Sequence, residues 1–261
     1  MNLGLNLFSV RELIGTEEEF RRTALSLKEQ GYSYLQYSGG PYDAEMIRRV
    51  SRETGMPVVL THVPLARILN ETQQLMEEHA SFGCRNIGLG MMPTEVIQGE
   101  NACKETIALL DRAGEEMERA GFRFFYHHHH FEFLKHGGQT VFDYMIERAP
   151  HINFTVDTYW LQYGGVDILA TLKRLKGRME CVHLKDYTIE AYEENGSTQL
   201  HPAFAPLGEG TLDFPAIVAA MKAGGAKYFL VEQDNATTKS DPLGETKRSA
   251  SYAKQFLKGM L

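Results

Sequence analysis

A chain of 261 residues, 43% of them hydrophobic, has enough apolar material for one α/β barrel or two small domains. A formal charge of −7 with no basic stripe argues against a nucleic-acid partner, whose phosphates call for clustered Lys and Arg. No stretch approaches the ~18 apolar residues of a membrane span, the N-terminus lacks the charged and apolar regions of a secretory signal, and Cys84, Cys103 and Cys181 are too widely spaced for a disulfide framework, so a cytoplasmic protein with reduced thiols is expected.

Short apolar runs alternate with amphipathic stretches along the whole chain. The first strand is expected over Leu3 to Leu7, followed by a helix with Thr16 as N-cap, Glu19 completing a capping box and Gly31 closing it. Tyr32 to Tyr37 reads as strand two, with a helix from Asp43 to about Gly55; Val58 to His62 reads as strand three, with a helix from Arg67 to Ala80. Asn86 to Leu89 is strand four, and the longest helix runs from about Gly99 to Ala120. Phe122 to His127 is strand five and Thr140 to Ala149 its helix; Ile152 to Asp157 is strand six and Asp167 to Leu175 its helix. Met179 to Leu184 is strand seven, trailed by a loop that looks inserted, from Tyr187 to Gly210, and by a helix from Asp213 to Gly224. Tyr228 to Glu232 is strand eight and Thr246 to Leu257 the last helix. Eight strand–helix units in one uninterrupted chain predict a single (β/α)8 barrel domain over residues 1–261. A doubly wound sheet would carry a glycine-rich G-x-G-x-x-G after the first strand, where Leu7-Phe8-Ser9-Val10 stands instead.

In such a barrel the chemistry belongs at the C-terminal ends of the strands. The run FRFFYHHHHFEF, Phe122 to Phe133, ends strand five in His127, His128, His129 and His130, with Glu132 two residues on. Purification tags lie at termini, and this run is internal. If the strand continues through it, alternation puts His127 and His129 on one face. Strand three ends at His62, strand six at Asp157, and strand eight at Glu232, while strand seven carries His183 followed by Lys185. A lone histidine on a strand is ordinarily a satisfied core residue and a lone aspartate after one is ordinarily a helix cap. Asp157, His183 and Glu232 close three consecutive strands, however, and so converge on one barrel mouth. Two carboxylates and an imidazole, with a fourth ligand from the strand-five segment, form a nitrogen–oxygen site suited to Mn²⁺, Mg²⁺, Co²⁺ or Zn²⁺.

Five stretches, YHHHHFEF (126–133), VDTYW (156–160), VHLKD (182–186), PLGEGTLDF (206–214) and VEQD (231–234), resemble the xylose-isomerase-like barrels, specifically the sugar phosphate isomerase/epimerase branch related to inosose dehydratase and the ketose 3-epimerases. The resemblance implies one divalent metal ion held by Glu, Asp, His and Glu, three of which match Asp157, His183 and Glu232. In the epimerases a glutamate closes strand five, where this chain has His127; the expected fourth ligand is Glu132 folding back, with His127 or His129 as the alternative. A histidine base, His127 or His129, then joins Glu232 as a candidate proton-transfer group. Lys185 is expected to polarise a carbonyl or bind a hydroxyl, with an ion pair to Asp186 or Glu209 as the bland alternative. His62, Arg67, Trp160 and Glu209 are the candidate substrate contacts: Trp160 by stacking on a sugar face, Arg67 by clamping an anionic group, Glu209 by shaping the rim.

The expected activity is a metal-dependent isomerisation or epimerisation of a sugar, keto-sugar or cyclitol through proton abstraction beside a carbonyl. The alternatives are a dehydratase or lyase of the same fold, including the subunits that cleave 3-keto-glycosides. Further off stand a phosphodiesterase like the apurinic endonucleases, which needs more histidines and a basic surface, and an inactive binding subunit. The partner expected is a small sugar, with the resemblance suggesting a homo-oligomer.

Overall fold

The computed structural model describes residues 2–261. Eight parallel strands close into a barrel: β1 (Gly4–Asn6), β2 (Tyr34–Tyr37), β3 (Val58–His62), β4 (Asn86–Leu89), β5 (Arg123–His127), β6 (Ile152–Asp157), β7 (Cys181–Leu184) and β8 (Tyr228–Val231). Each pairs with its neighbours in chain order, and β1 pairs with both β2 and β8. This is the (β/α)8 TIM barrel expected from the alternation, with strand ends at the predicted residues or up to two residues inside them. The helix N-termini follow their capping residues: Thr16 and Glu19 form the reciprocal box that opens Glu17–Gln30, and Gly31, at φ +102°, closes it in the left-handed region.

Strand alternation sorts the barrel wall into two faces. Leu5, Leu35, Tyr37, Phe124, Tyr126, Phe154, Val156, Val182, Leu184, Phe229 and Val231 belong to the large core shared with the helices. Tyr34, Leu60, Phe125, Cys181 and Leu230, at the other parity, belong to a second small cluster inside the barrel. Two residues further along β2, β3, β5, β7 and β8 the same inward parity delivers Gln36, His62, His127, His183 and Glu232. The apolar cluster is therefore the floor on which the polar mouth is built. Cys84, Cys103 and Cys181 are all buried free thiols.

The segment expected to be a loop between Tyr187 and Gly210 is a two-stranded antiparallel hairpin, Asp186–Glu194 with Ser197–Ala205. Its turn is Asn195-Gly196, both at positive φ (51° and 76°), the two-residue connection that matches strand twist. Among the described residues no helix is long and apolar enough to cross a membrane.

Candidate metal centre

Parallel pairing places Asp157 directly opposite His183, and His127 opposite Thr155 one strand over. The backbone N–H of Glu232 continues the β7–β8 ladder to the carbonyl of Leu184. One ligand atom from each of His127, Asp157, His183 and Glu232 comes within 4.8 Å of all the others, and all four residues are buried. His127 Nε2 lies 3.1 Å from Asp157 Oδ2, and His183 Nδ1 lies 3.5 Å from that oxygen and 2.9 Å from Glu232 Oε2.

The other atom of three of these groups is tied down. Asp157 Oδ1 accepts from the backbone N–H of Trp160, capping the helix Thr158–Tyr163. Glu232 Oε1 accepts from Asn6 Nδ2 at 2.6 Å. His183 Nε2 lies 2.7 Å from Gln36 Oε1. Left over and turned inward are Asp157 Oδ2, Glu232 Oε2 and His183 Nδ1. The last two are buried without an aligned hydrogen bond despite their short separation. Buried polar atoms ordinarily find partners, and two carboxylate oxygens and a ring nitrogen that converge on one point suit a shared cation. The donor set, two imidazoles and two carboxylates, fits a divalent ion.

Charge at the centre is balanced by Lys185, which is 1% exposed. Its ammonium lies 2.9 Å from Glu232, 2.7 Å from Asp234 and 3.4 Å from Asp157. Burial opposes its charge, but the three carboxylates outweigh burial and hold its pKa above the ordinary lysine value. Burial likewise opposes ionisation of Asp157, yet Lys185 and His183 hold that carboxyl well below the usual range. Burial pulls His183 down and Glu232 and Asp157 push it up, with a net rise to about 9. Asp234 goes the other way: burial and Glu232 raise it to about 6 against the pull of Lys185. His62 and His129 are each pushed down to about 3, chiefly by burial and then by the neighbouring charge of His183 and Lys185 respectively.

A cleft of about 330 Å³ opens over this group, lined by Phe8, Ser38, Gly39, His62, Gly90, Met91, His127, His129, Lys185, Glu232 and Asp234. The size suits a small molecule. His62 stacks on His127 with ring centres 5.3 Å apart. β5 ends at His127, so His129 reaches the same side from the loop beyond it rather than by strand alternation, with its ring centre 4.5 Å from that of His127. Trp160 sits behind this pair, 5.0 Å from His129 and 5.2 Å from His130, and the Lys185 ammonium lies 5.2 Å from its ring centre. Trp160 thus lies against the histidine run and not on the lining of the cleft.

Three expected site residues lie elsewhere. Glu132 does not join the cluster: its Oε1 accepts from Tyr126 Oη at 2.6 Å and its Oε2 from the backbone N–H of His129 at 2.7 Å. Tyr126 points away from the barrel interior, opposite in parity to His127, so a carboxylate bound to it stays outside the barrel wall. Glu132 instead pins the turn that carries His129, and His127 fills the fourth corner. Arg67 is taken by Glu71 and Glu78 between outer helices, with its guanidinium over Tyr42. Glu209 points outward to Arg248, while the backbone N–H groups of Gly208 and Gly210 on either side donate to Asp186. Asp234 belongs to the VEQD stretch but had no expected role, and Asn6 and Gln36 were not expected at the site, although both carry a usable signal: a polar side chain at the inward position near the end of an apolar strand.

A family model described as the xylose isomerase-like TIM barrel matches residues 26–258. The chain is 28% identical over 219 residues to the inosose dehydratase of Clostridium perfringens, covering 71% of each protein. Among solved structures, a sugar phosphate isomerase/epimerase from Parabacteroides distasonis superposes with a TM-score of 0.79 at 18% identity, over 97% of this chain and 93% of that one. A xylose isomerase-like TIM barrel protein from Mycobacterium smegmatis in complex with magnesium gives a TM-score of 0.71 at 15% identity, over 100% of this chain and 97% of that one.

Proposed function

Because the chain belongs to the xylose isomerase-like TIM barrel family, we propose that it is an enzyme that removes the proton beside the carbonyl of a keto-sugar or cyclitol, at a divalent-ion centre made by His127, Asp157, His183 and Glu232. The observation that carries this reading is the convergence of Asp157 Oδ2, Glu232 Oε2 and His183 Nδ1, each held by its other atom, beneath an open cleft. The magnesium complex of the Mycobacterium smegmatis barrel protein supports the ion. When bound, such an ion polarises a carbonyl and a neighbouring hydroxyl oxygen, which acidifies the C–H between them.

The protein's own groups then divide the work. His129 lines the cleft and its buried Nδ1 has no hydrogen-bond partner among the described residues, so we assign it the proton, a transfer in which negative charge growing on the substrate offsets the burial that otherwise holds the ring neutral. The Lys185 ammonium, fixed among three carboxylates, offers a stationary positive charge to a substrate oxygen as negative charge grows on it. His62 faces the cleft as a neutral hydrogen-bonding group. Returning the proton to the adjacent carbon gives isomerisation, and returning it to the other face gives epimerisation.

A second reading, loss of water, has a specific observation in its favour. A strand-five glutamate would offer a carboxylate base across the substrate from Glu232, and His127 stands there instead, drawn into the cluster by Asp157. With one face better equipped than the other, the carbanion is relieved by forming a C=C bond and expelling its β-hydroxyl, which leaves as water with the proton first taken by His129. The activity of the Clostridium perfringens relative, an inosose dehydratase, supports this outcome. The test is incubation of ion-loaded protein with keto-sugars and inososes in D₂O, followed by NMR. Deuterium beside the carbonyl of an otherwise intact or rearranged sugar supports isomerisation or epimerisation, and a lost hydroxyl with a new unsaturated carbonyl supports dehydration. No exchange and no loss with the ion bound overturns both.

A further inference from the structure

Gln36, fully buried at the end of β2, touches two imidazoles with opposite ends of one amide. Its Oε1 lies 2.7 Å from Nε2 of His183, while its Nε2 lies 3.0 Å from Nε2 of His62 and donates to Ser38 Oγ at 3.1 Å. The two ends are not interchangeable, because the oxygen only accepts and the NH₂ only donates. Oε1 therefore requires a proton on Nε2 of His183, and that leaves Nδ1, which faces Asp157 and Glu232, as the atom that can give up its proton and turn a lone pair to an ion. The NH₂ requires a lone pair on Nε2 of His62, so the proton of neutral His62 sits on Nδ1. That nitrogen lies on the cleft wall beside Gly90, 3.1 Å from where a Cβ at Gly90 would stand. Turned the other way, the amide would demand the proton on Nδ1 of His183 and close that atom to a cation.

We propose that Gln36 is a positioning residue that sets the tautomers of His183 and His62 together, presenting the Nδ1 lone pair of His183 to the ion and an Nδ1–H donor of His62 to a substrate oxygen. The assignment rests on the reading of His183 as an ion ligand. It also ties two properties that would otherwise be independent, ion affinity and the hydrogen-bond polarity of the cleft wall, to one side chain.

The test is long-range ¹H–¹⁵N NMR of histidine-labelled protein, stripped and loaded with Zn²⁺, with Zn²⁺ affinity measured by calorimetry. In the wild type His62 is expected as the Nδ1–H tautomer and, with Zn²⁺, His183 as Nδ1-coordinated with Nε2–H. Gln36→Glu offers two acceptors: it should leave the His183 pattern and Zn²⁺ affinity in place while moving the His62 proton to Nε2. Gln36→Leu orients neither ring and should weaken Zn²⁺ binding about 10–100-fold, the usual cost of losing such an outer partner. A His62 tautomer that is the same in Gln36→Glu and wild type overturns the proposal, as does wild-type affinity in Gln36→Leu. If the leucine variant does not fold, the His62 tautomer in Gln36→Glu decides alone. Wild-type protein that binds no divalent ion overturns the proposed centre, whereas the His62 tautomer of the stripped protein still decides the role of Gln36.

Discussion

Asp157 does two jobs with one carboxylate: Oδ1 caps a helix and Oδ2 faces the centre. Glu232 is divided in the same way between Asn6 and the centre, so Glu232→Gln keeps the shape and the Asn6 contact while removing a negative charge from the proposed ion site. Ion affinity is expected to fall at least about 10-fold and turnover about 100-fold or more, with folding little changed. Calorimetric titration and activity at saturating ion check this, and a wild-type rate with the ion bound would free Glu232 of both roles. The histidine pair separates differently. His127→Gln is expected to lose ion affinity, because its Nε2 sits at the cluster beside Asp157, whereas His129→Gln is expected to keep the ion and lose proton exchange by about 10²–10⁴-fold. Deuterium wash-in measured alongside ion occupancy distinguishes them, and full exchange in His129→Gln would move the base to Glu232. pH enters through His183. In ion-free protein its folded value of about 9 lies above the ordinary value of about 6.5. The stability it contributes is complete below the ordinary value and is lost as pH rises through 9. Thermal melts of stripped protein from pH 6 to 10 should show that loss, and saturating ion should abolish it by taking the place of the proton.

β4 acts on the site without supplying a ligand. Gly88 lies so close to β3 that a Cβ there would stand 2.5 Å from the Thr61 carbonyl and 3.0 Å from Cδ2 of His62. The first neighbour is backbone and cannot swing aside, so Gly88→Ala must move the strands apart or push His62 away. The expected cost is roughly 1–3 kcal/mol in stability, together with weaker substrate binding; urea unfolding midpoints and KM check both. The hairpin Asp186–Ala205 approaches the centre behind Lys185. Phe204, near its base, packs 4.2 Å from Tyr159 between ring centres and lies 5.3 Å from the Lys185 ammonium. The hairpin was legible in principle, since Asn195-Gly196 is a strong turn signal. The charged and polar composition of its strands, exposed over most of their length, hides the alternation that marks a half-buried strand.

At the scale of the whole molecule, the cluster joins four barrel strands, and Asn6 carries the network to β1 by a bond spanning 226 residues of chain. An ion bound there holds only the closed barrel, because no unfolded segment brings these ligands together. At a concentration about 100-fold above its dissociation constant, such an ion adds about 2.7 kcal/mol of stability, or roughly 5–10 °C in melting temperature for a chain of this length. Thermal melts with and without Mn²⁺ or Mg²⁺ measure the shift, and an unchanged melt at saturating ion would count against the centre.

Local pattern alone was enough for the barrel and for three corners of the cluster. Hydrophobic period and helix caps are short-range properties, and Asp157, His183 and Glu232 end their strands, so closure of the barrel brings them together. The remaining features depended on which side of a wall a side chain meets its partner. Tyr126 and His127 are adjacent in sequence and face opposite ways; the tyrosine hydroxyl captures Glu132, and the fourth corner falls to His127. Arg67 and Glu209 looked available for substrate until the packing of outer helices and of the last helix placed Glu78 and Arg248 against them. Gln36 and Asn6 gain their meaning only when β2 and β1 close the ring beside β7 and β8, because a hydrogen bond needs a partner within about 3 Å and sequence separation carries no information about that distance.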